Sequence, residues 1–314
     1  MLVWINRGIT MEKIQFGTGI RTVTDIAASA RLIEKLGFDI VSAGEHVMFH
    51  GPIGNTYITL SVAAGATEHI KLMSTIVLLP LYPAALAAKL GAALDNASGG
   101  RYMFGVGVGG EFPKEFEACG VPVKERGART TEALQVIRKL WADEDVTFQG
   151  RFNTLNGVTL NPRPLQKPTP PIWVAGRSDA AKRRAALHGD GWLPYMYTPQ
   201  MLKESVDSIT AIRAEHKLGM ESFNQGVFIF SAVHEDRDKA REMASAQLGK
   251  QYAQDFDKLV SAYTLIGTPE DCRKRLREYI DAGSKLFMLT SACPESYVDE
   301  NLRLIAEQVI PEFR

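Results

Sequence analysis

The residues best suited to chemistry stand where short apolar runs end. The run Tyr102-Met103-Phe104-Gly105-Val106 passes into Gly107-Val108-Gly109-Gly110 and then the carboxylate of Glu111. Glycine carries no Cβ, so a glycine-rich strand end lets the backbone approach a ligand closely. A second run, 39–43, leads to Glu45-His46. A histidine there titrates near neutral pH and can donate, accept or move a proton; a loop or core histidine satisfied by its neighbours is the alternative. Glu111 reads either as a functional carboxylate or as one that faces solvent. A third run, Ile172-Trp173-Val174, meets Gly176-Arg177-Ser178 at the start of a helical pattern. A helix N-terminus with an Arg and a Ser suits phosphate; a tight turn with a capping serine fits the same residues. Arg126 and Arg129, with Glu132 a helical step on, fit an ion pair as well as a substrate clamp.

Several chemistries find no support. Gly105, Gly107 and Gly110 spell G-x-G-x-x-G, but that dinucleotide pattern needs a helix opening on the glycines. Here Pro113 and Gly120 argue against an immediate long helix. A metal site needs three or four convergent ligands, and only Glu45, His46 and Glu111 qualify at the strand ends, two of them sequence neighbours. Neither G-x-S-x-G nor a G-K-[ST] loop occurs. Cys119, Cys272 and Cys293 are widely spaced, without C-x-x-C, and read as free thiols of a reducing cytosol.

These residues need a scaffold, and the chain alternates. Strands are expected at 14–17, 39–43, 70–76, 102–106, 171–175, 191–195, 226–233 and 285–290. Helical patterns lie at 25–36, 56–67, 84–97, 130–141, 178–188, 199–218, 236–249, 269–282 and 295–309. Thr24 or Asp25 caps the first, and Gly37 ends it. In the helix at 269–282, Thr268 is the N-cap, Pro269 the first residue, Glu270 and Asp271 the first-turn acids and Gly283 the stop. Eight strand–helix pairs predict an α/β fold, a (β/α)8 TIM barrel; a doubly wound open sheet is the rival. The stretch 111–170 breaks the rhythm with one clear helix and a proline-rich segment, so it reads as an insertion over the C-terminal face, where barrel active sites lie. The domain is placed at 11–314, with 1–10 as a tail or start-site extension before Met11.

The bulk numbers agree. A chain of 314 residues is ordinary for a barrel, and 45% hydrophobic content supports a large core. Lys+Arg and Asp+Glu balance at 36 each, which leaves no electrostatic case for nucleic acid or a membrane surface. The most apolar stretch, 70–94, is broken by Lys71, Pro80, Pro83 and Lys89, and the first residues lack a signal-peptide pattern. A cytoplasmic protein is expected.

Taken in order, the motifs resemble one family. They are Glu45-His46-Val47, Leu94-Asp95-Asn96-Ala97-Ser98-Gly99-Gly100-Arg101, Gly105-Val106-Gly107 and Glu115-Phe116-Glu117-Ala118-Cys119-Gly120-Val121. Arg126-Gly127, Pro170-Pro171-Ile172-Trp173-Val174-Ala175-Gly176, Gly189-Asp190-Gly191-Trp192-Leu193-Pro194 and Gly267-Thr268-Pro269-Glu270 follow. From about 14 to 310 the chain resembles the bacterial-luciferase-like flavin and deazaflavin oxidoreductases. The resemblance implies a barrel that holds an isoalloxazine or deazaflavin ring at its strand ends. Some members use reduced FMN and O2 to oxygenate a substrate; others use coenzyme F420 to move a hydride. By position, His46 is implied as the acid/base group and Glu111 as a second catalytic residue. Thr75 and Ile76 are implied behind the ring, Gly107, Val108 and Gly109 along its edge, and Gly176, Arg177 and Ser178 at the phosphate. Two departures stand out. Glu45 takes the place of an Asp common in deazaflavin members, and Gly110 intervenes before Glu111. The pattern leans to F420-dependent hydride transfer on a small organic substrate. The alternatives are an FMN-dependent monooxygenase fed by a separate reductase and a non-catalytic flavin-binding protein. A homo-oligomer is also implied.

Overall fold

The computed structural model describes residues 13–20, 22–252 and 260–314. The tail expected over 1–10 lies outside the described residues. The chain divides into two compact units, 17–176 and 1–16 with 177–314.

The first unit runs β1 (Gln15–Gly19), α1 (Ile26–Lys35), β2 (Ile40–Ala43), α2 (Thr56–Ala66), β3 (Lys71–Ser74), β4 (Val77–Leu78), α3 (Ala84–Ala97) and β5 (Tyr102–Gly107). It continues through α4 (Pro113–Ala118), α5 (Arg126–Ala142), β6 (Val146–Gln149), β7 (Thr154–Val158) and β8 (Ile172–Ala175). Gly17 lies opposite Ile40, Val41 opposite Leu72, Leu72 opposite Tyr102, and Val106 opposite both Val77 and Val174, all in parallel pairs. All of β2 and β5 is buried, as a parallel sheet covered on both faces requires. Asn55 caps α2 by accepting from the N–H groups of Tyr57 and Ile58. Asp25 holds the N-cap position of α1 without a side-chain bond, so the cap read there does not form. Gly37 (φ 81°) ends the turn after α1 as expected.

The stretch 111–170 is more ordered than its composition suggests. α4 follows β5 with Pro113 in its first turn. α5 is longer than read, and its Trp141 Nε1 donates to the Ala88 carbonyl at 2.8 Å. The antiparallel hairpin β6–β7 has no counterpart in the sequence reading. Farther on, Gln166 bonds Asp95 and the carbonyl of Tyr102, while Asn96 bonds the carbonyl of Arg163. The residues directly after β5 thus stand at the C-terminal strand ends, whereas 161–167 is fastened to α3 and the start of β5.

The second unit contains α6 (Asp179–His188), β9 (Gly191–Leu193), α7 (Pro199–Glu215), β10 (Asn224–Val233), α8 (Arg237–Tyr252), α9 (Val260–Tyr263), β11 (Thr264–Gly267), α10 (Pro269–Asp281), β12 (Leu286–Ser291) and α11 (Val298–Leu304). β10 pairs in parallel with β9, β11 and β12. Gln15 and Phe16, the first two residues of β1, belong to this unit: Gln15 N–H donates to the Lys285 carbonyl, and Phe16 stacks on Phe287 with centroids 5.5 Å apart. The eight strands read from the sequence correspond to β1, β2, β3, β5, β8, β9, β10 and β12. β11 was not read; it pairs with the last four residues of β10. The expected helix over 295–309 is α11 flanked by a 3₁₀ turn, Glu295–Tyr297, and a π turn, Ile305–Val309.

α10 forms as its sequence dictates, with Thr268 and Asp271 in a reciprocal capping box. Asp271 also takes two bonds from the Arg237 guanidinium, at 2.8 and 2.6 Å. The Arg237 bonds hold its carboxyl down at about 2, against an opposing burial effect, with further help from Thr268. A depressed carboxyl stabilises the fold above its unfolded value and loses that contribution as pH falls through the folded one. We predict that Asp271→Asn lowers stability at pH 7 by about 1 kcal/mol, after allowance for solvent screening at exposed Arg237. Urea titrations should show the gap between parent and variant closing from about pH 4 to about pH 2; a gap independent of pH contradicts the assignment.

Candidate active site

His46 leaves the end of β2, and its imidazole is mostly covered, with 15% of the side chain exposed. Nδ1 lies 3.1 and 3.2 Å from the two carboxylate oxygens of Glu115, which is fully buried. The same carboxylate accepts from the backbone N–H of Val47 at 3.1 Å and of Met48 at 3.5 Å. Nδ1 is thus the ring nitrogen committed to Glu115, and Nε2 is the other. A carboxylate on one nitrogen fixes the tautomer, orients the ring and stabilises the imidazolium that forms when the other nitrogen takes a proton. Phe49 stacks on the imidazole, centroids 4.1 Å apart at 15°, and Phe112 meets Phe49 edge-on at 6.4 Å.

The partner of His46 is thus Glu115. Glu111 is exposed beyond the glycines, and Glu115 sits on the first turn of α4. Sequence reasoning quoted Glu115 only within a motif. The available signal was Pro113, which starts a helix and turns Glu115 and Phe116 inward together.

Glu45 is the second withdrawn carboxylate, only 6% exposed. Its Oε1 accepts from Leu78 N–H at 2.9 Å. Its Oε2 accepts from Asn55 Nδ2 at 3.0 Å, the Tyr82 hydroxyl at 3.0 Å and Thr56 N–H at 3.3 Å. Burial pushes its carboxyl above the ordinary range, against the opposing effect of Leu78 N–H, Tyr82, Thr56 N–H and His46. Burial and the adjacent Glu45 push the Tyr82 phenol up strongly, so it stays a donor.

Thr75 and Ile76 join β3 to β4 through a cis peptide bond. Thr75 Oγ1 donates to Ser42 Oγ at 3.0 Å. Ile76 packs on Gly107, where an added Cβ would stand 2.0 Å from Ile76 Cδ1. At Gly105 an added Cβ would stand 1.9 Å from the Ser74 carbonyl oxygen. Val108, Gly109 and Gly110 are half-exposed, unlike the buried β5 before them, and both glycines have positive φ (57° and 106°).

In the other unit, Ser178 caps α6 by accepting from Ala181 N–H at 3.2 Å. The turn before it contains Gly176 at φ 119°. The guanidinium of exposed Arg177 lies over the Tyr195 ring at 4.9 Å, and Tyr197 donates to the Arg177 carbonyl. The capping role expected of Ser178 is realised. The ion pair read for Glu132 is not formed: Glu132 instead accepts from the N–H groups of Arg151, Phe152 and Asn153, while Arg129 pairs with Glu125 at 2.9 Å. Among the described residues no cluster of three metal-ligating side chains occurs, and no helix is long and apolar enough to cross a membrane.

The model of the luciferase-like monooxygenase family matches residues 9–286. The FMNH2-dependent dimethylsulfone monooxygenase of Pseudomonas putida is 31% identical over 257 residues, 78% of this chain and 68% of that protein. The F420-dependent glucose-6-phosphate dehydrogenase of Microbacterium testaceum is 24% identical over 90% of this chain and 91% of its own. Among solved structures, monooxygenase RslO1 from Streptomyces bottropensis superposes with a TM-score of 0.85 at 25% identity, covering 96% of this chain and all of that one. The fold is the (β/α)8 barrel anticipated from the strand–helix alternation.

The two strand glycines differ in what they tolerate. We predict that Gly105→Ala, which drives a methyl into a backbone carbonyl, costs about 3 kcal/mol or more. Gly107→Ala meets the movable end of an isoleucine and should cost less than half as much. Denaturant melts of the two variants check the order, and equal costs would show that the Ser74 strand yields easily.

Proposed function

Because the chain belongs to the luciferase-like monooxygenase family, we propose that it is an F420-dependent oxidoreductase moving a hydride to or from a small organic substrate. The observation that supports an oxidoreductase at this site is the His46–Glu115 pair; the lean to F420 rests on the resemblance of the motif pattern. Hydride transfer between an alcohol and a carbonyl leaves one proton to be handled at the substrate oxygen. His46 Nε2 takes or gives that proton, and Glu115 stabilises the charge through Nδ1. Glu111 stays in this reading as a second catalytic candidate, exposed beside Phe112.

The residues present suit a flat ring with a phosphate. Val108 and Gly109 offer half-exposed backbone with little side chain. Thr75, Ile76, Gly107, Val108 and Gly109 would hold the ring; Gly176, Arg177 and Ser178 would hold the phosphate at the start of α6. When bound, F420 supplies a two-electron carrier that takes or gives hydride. Positioning and the exclusion of water fall to the protein, and the Phe49 face on His46 serves the second.

A second reading has its own support. The Pseudomonas putida relative, at 31% identity, is named for FMNH2. In that reading the same residues hold reduced FMN, and a separate reductase supplies it. Both readings carry the homo-oligomer implied by the resemblance and the cytoplasmic location expected from the sequence.

Parallel fluorescence titrations with FMN and F420 decide between them: tight F420 binding alone supports hydride transfer, tight binding of reduced FMN alone supports oxygenation, and binding of neither favours a non-catalytic protein. We predict that His46→Ala lowers turnover about 10²-fold with cofactor affinity nearly unchanged; parental turnover would make His46 structural. Arg177→Ala should weaken cofactor binding by about 1.5–3 kcal/mol, the scale of a lost charge-assisted bond. Parental affinity would move the phosphate elsewhere.

A further inference from the structure

We propose that Glu45 is a positioning residue, whose buried carboxylate sets the floor on which the cofactor ring rests. The proposal rests on the placement of the ring at Thr75–Ile76 and Gly107–Gly109 given above. Glu45 joins three segments: the end of β2, the N-terminus of α2 through Asn55 and Thr56, and β4 through Leu78 N–H.

The tie reaches the floor through short contacts. Leu78 N–H is held by Oε1, and the Leu78 side chain packs on Gly109, where an added Cβ would stand 2.7 Å from its Cδ2. Ile76, two residues earlier, packs on Gly107. Gly44, next to Glu45, lies under the Thr75 carbonyl, 2.7 Å from where a Cβ would be. The carboxylate therefore fixes the β3–β4 turn against the glycines of β5 and, through the chain, the exit of His46 from β2. Tyr82 and Asn55 complete the shell. Asn55 Nδ2 also donates to the Tyr82 hydroxyl at 2.9 Å, and its Oδ1 is spent on the α2 cap, so its orientation is set from outside.

Glutamine keeps the shape but not the pattern. Four donors converge on the two oxygens, so an amide NH2 at either place faces a donor. A fitting control exists at the other end of β3. Glu34 accepts from the N–H groups of Glu68, His69 and Ile70, just before that strand begins. It braces the same strand away from the proposed floor.

The experiment compares the parent with Glu45→Gln, Tyr82→Phe and Glu34→Gln, using FMN and F420 as probes. Affinity comes from fluorescence, ring environment from the absorbance of the bound probe, and folding from thermal melts. The expected result is an affinity about tenfold weaker or more for Glu45→Gln, the scale of lost bonds to a charged acceptor. A displaced absorbance band should accompany it. Tyr82→Phe removes one donor and keeps the ring; about threefold is expected of it, and it carries the test if Glu45→Gln does not fold. Glu34→Gln should lose melting temperature but keep affinity and band position. Parental affinity and spectrum in both Glu45→Gln and Tyr82→Phe overturn the proposal, as does an equal loss in Glu34→Gln. A parent that binds neither probe overturns the reading of the site itself, and that outcome is visible before any variant is made.

Discussion

A carboxylate taken out of water must be met by donors, and the exit from β2 meets that requirement twice. Glu45 stands in one short segment, the exit from β2, and Glu115 bonds the residues that follow it. Glu115 receives the imidazole of His46 and two backbone N–H groups; Glu45 receives two backbone N–H groups, an amide and a phenol. Backbone N–H groups unclaimed by a ladder are found at element ends, so buried carboxylates gather there. The strand end thus becomes rigid and polar together, which is what a proton-handling histidine needs.

The glycines around β5 answer a different demand. Read in sequence, they suggest a backbone cleared for a ligand. In the fold, Gly105 makes room for the Ser74 carbonyl, Gly107 for Ile76, Gly109 for Leu78 and Gly110 for Arg126. Their first service is to bring β5 against the β3–β4 turn and the start of α5. That packing leaves no room for a side chain at any of the four positions.

Legibility in the sequence followed the range of the interactions. The eight strands were readable because a parallel strand is apolar on both faces, and α10 was readable because its cap, Pro269 and first-turn acids lie within four residues. β6 and β7 were not, since both are short and largely exposed, and the alternation of Val146 and Phe148 in β6 covers only four residues. β11 was missed because four residues, Thr264–Gly267, gain their strand character only from the overhang of β10. At the site, His46 could be picked out by residue type and position. Glu115 could not, since Glu111, Glu115 and Glu117 are equivalent until α4 is seen to turn Glu115 toward a histidine 69 positions earlier. Long-range pairing of charged groups is the information that a single sequence does not display.

The His46–Glu115 pair is indifferent to the choice between hydride transfer and oxygenation. Either reaction on a small organic molecule ends with a proton to be placed on, or removed from, an oxygen, and under the proposed assignment the same Nε2 would serve both. Reactivity with O2 belongs to the cofactor ring and not to the side chains around the substrate. It follows that a barrel of this kind commits to one chemistry by choosing which ring it binds. Relatives named for FMNH2 and for F420 at 31% and 24% identity are what this division of labour would produce. Under the proposed assignment, exchange of one cofactor for another would call for altered contacts at Gly176–Ser178 or along the β3–β4 turn, with His46 and Glu115 unchanged.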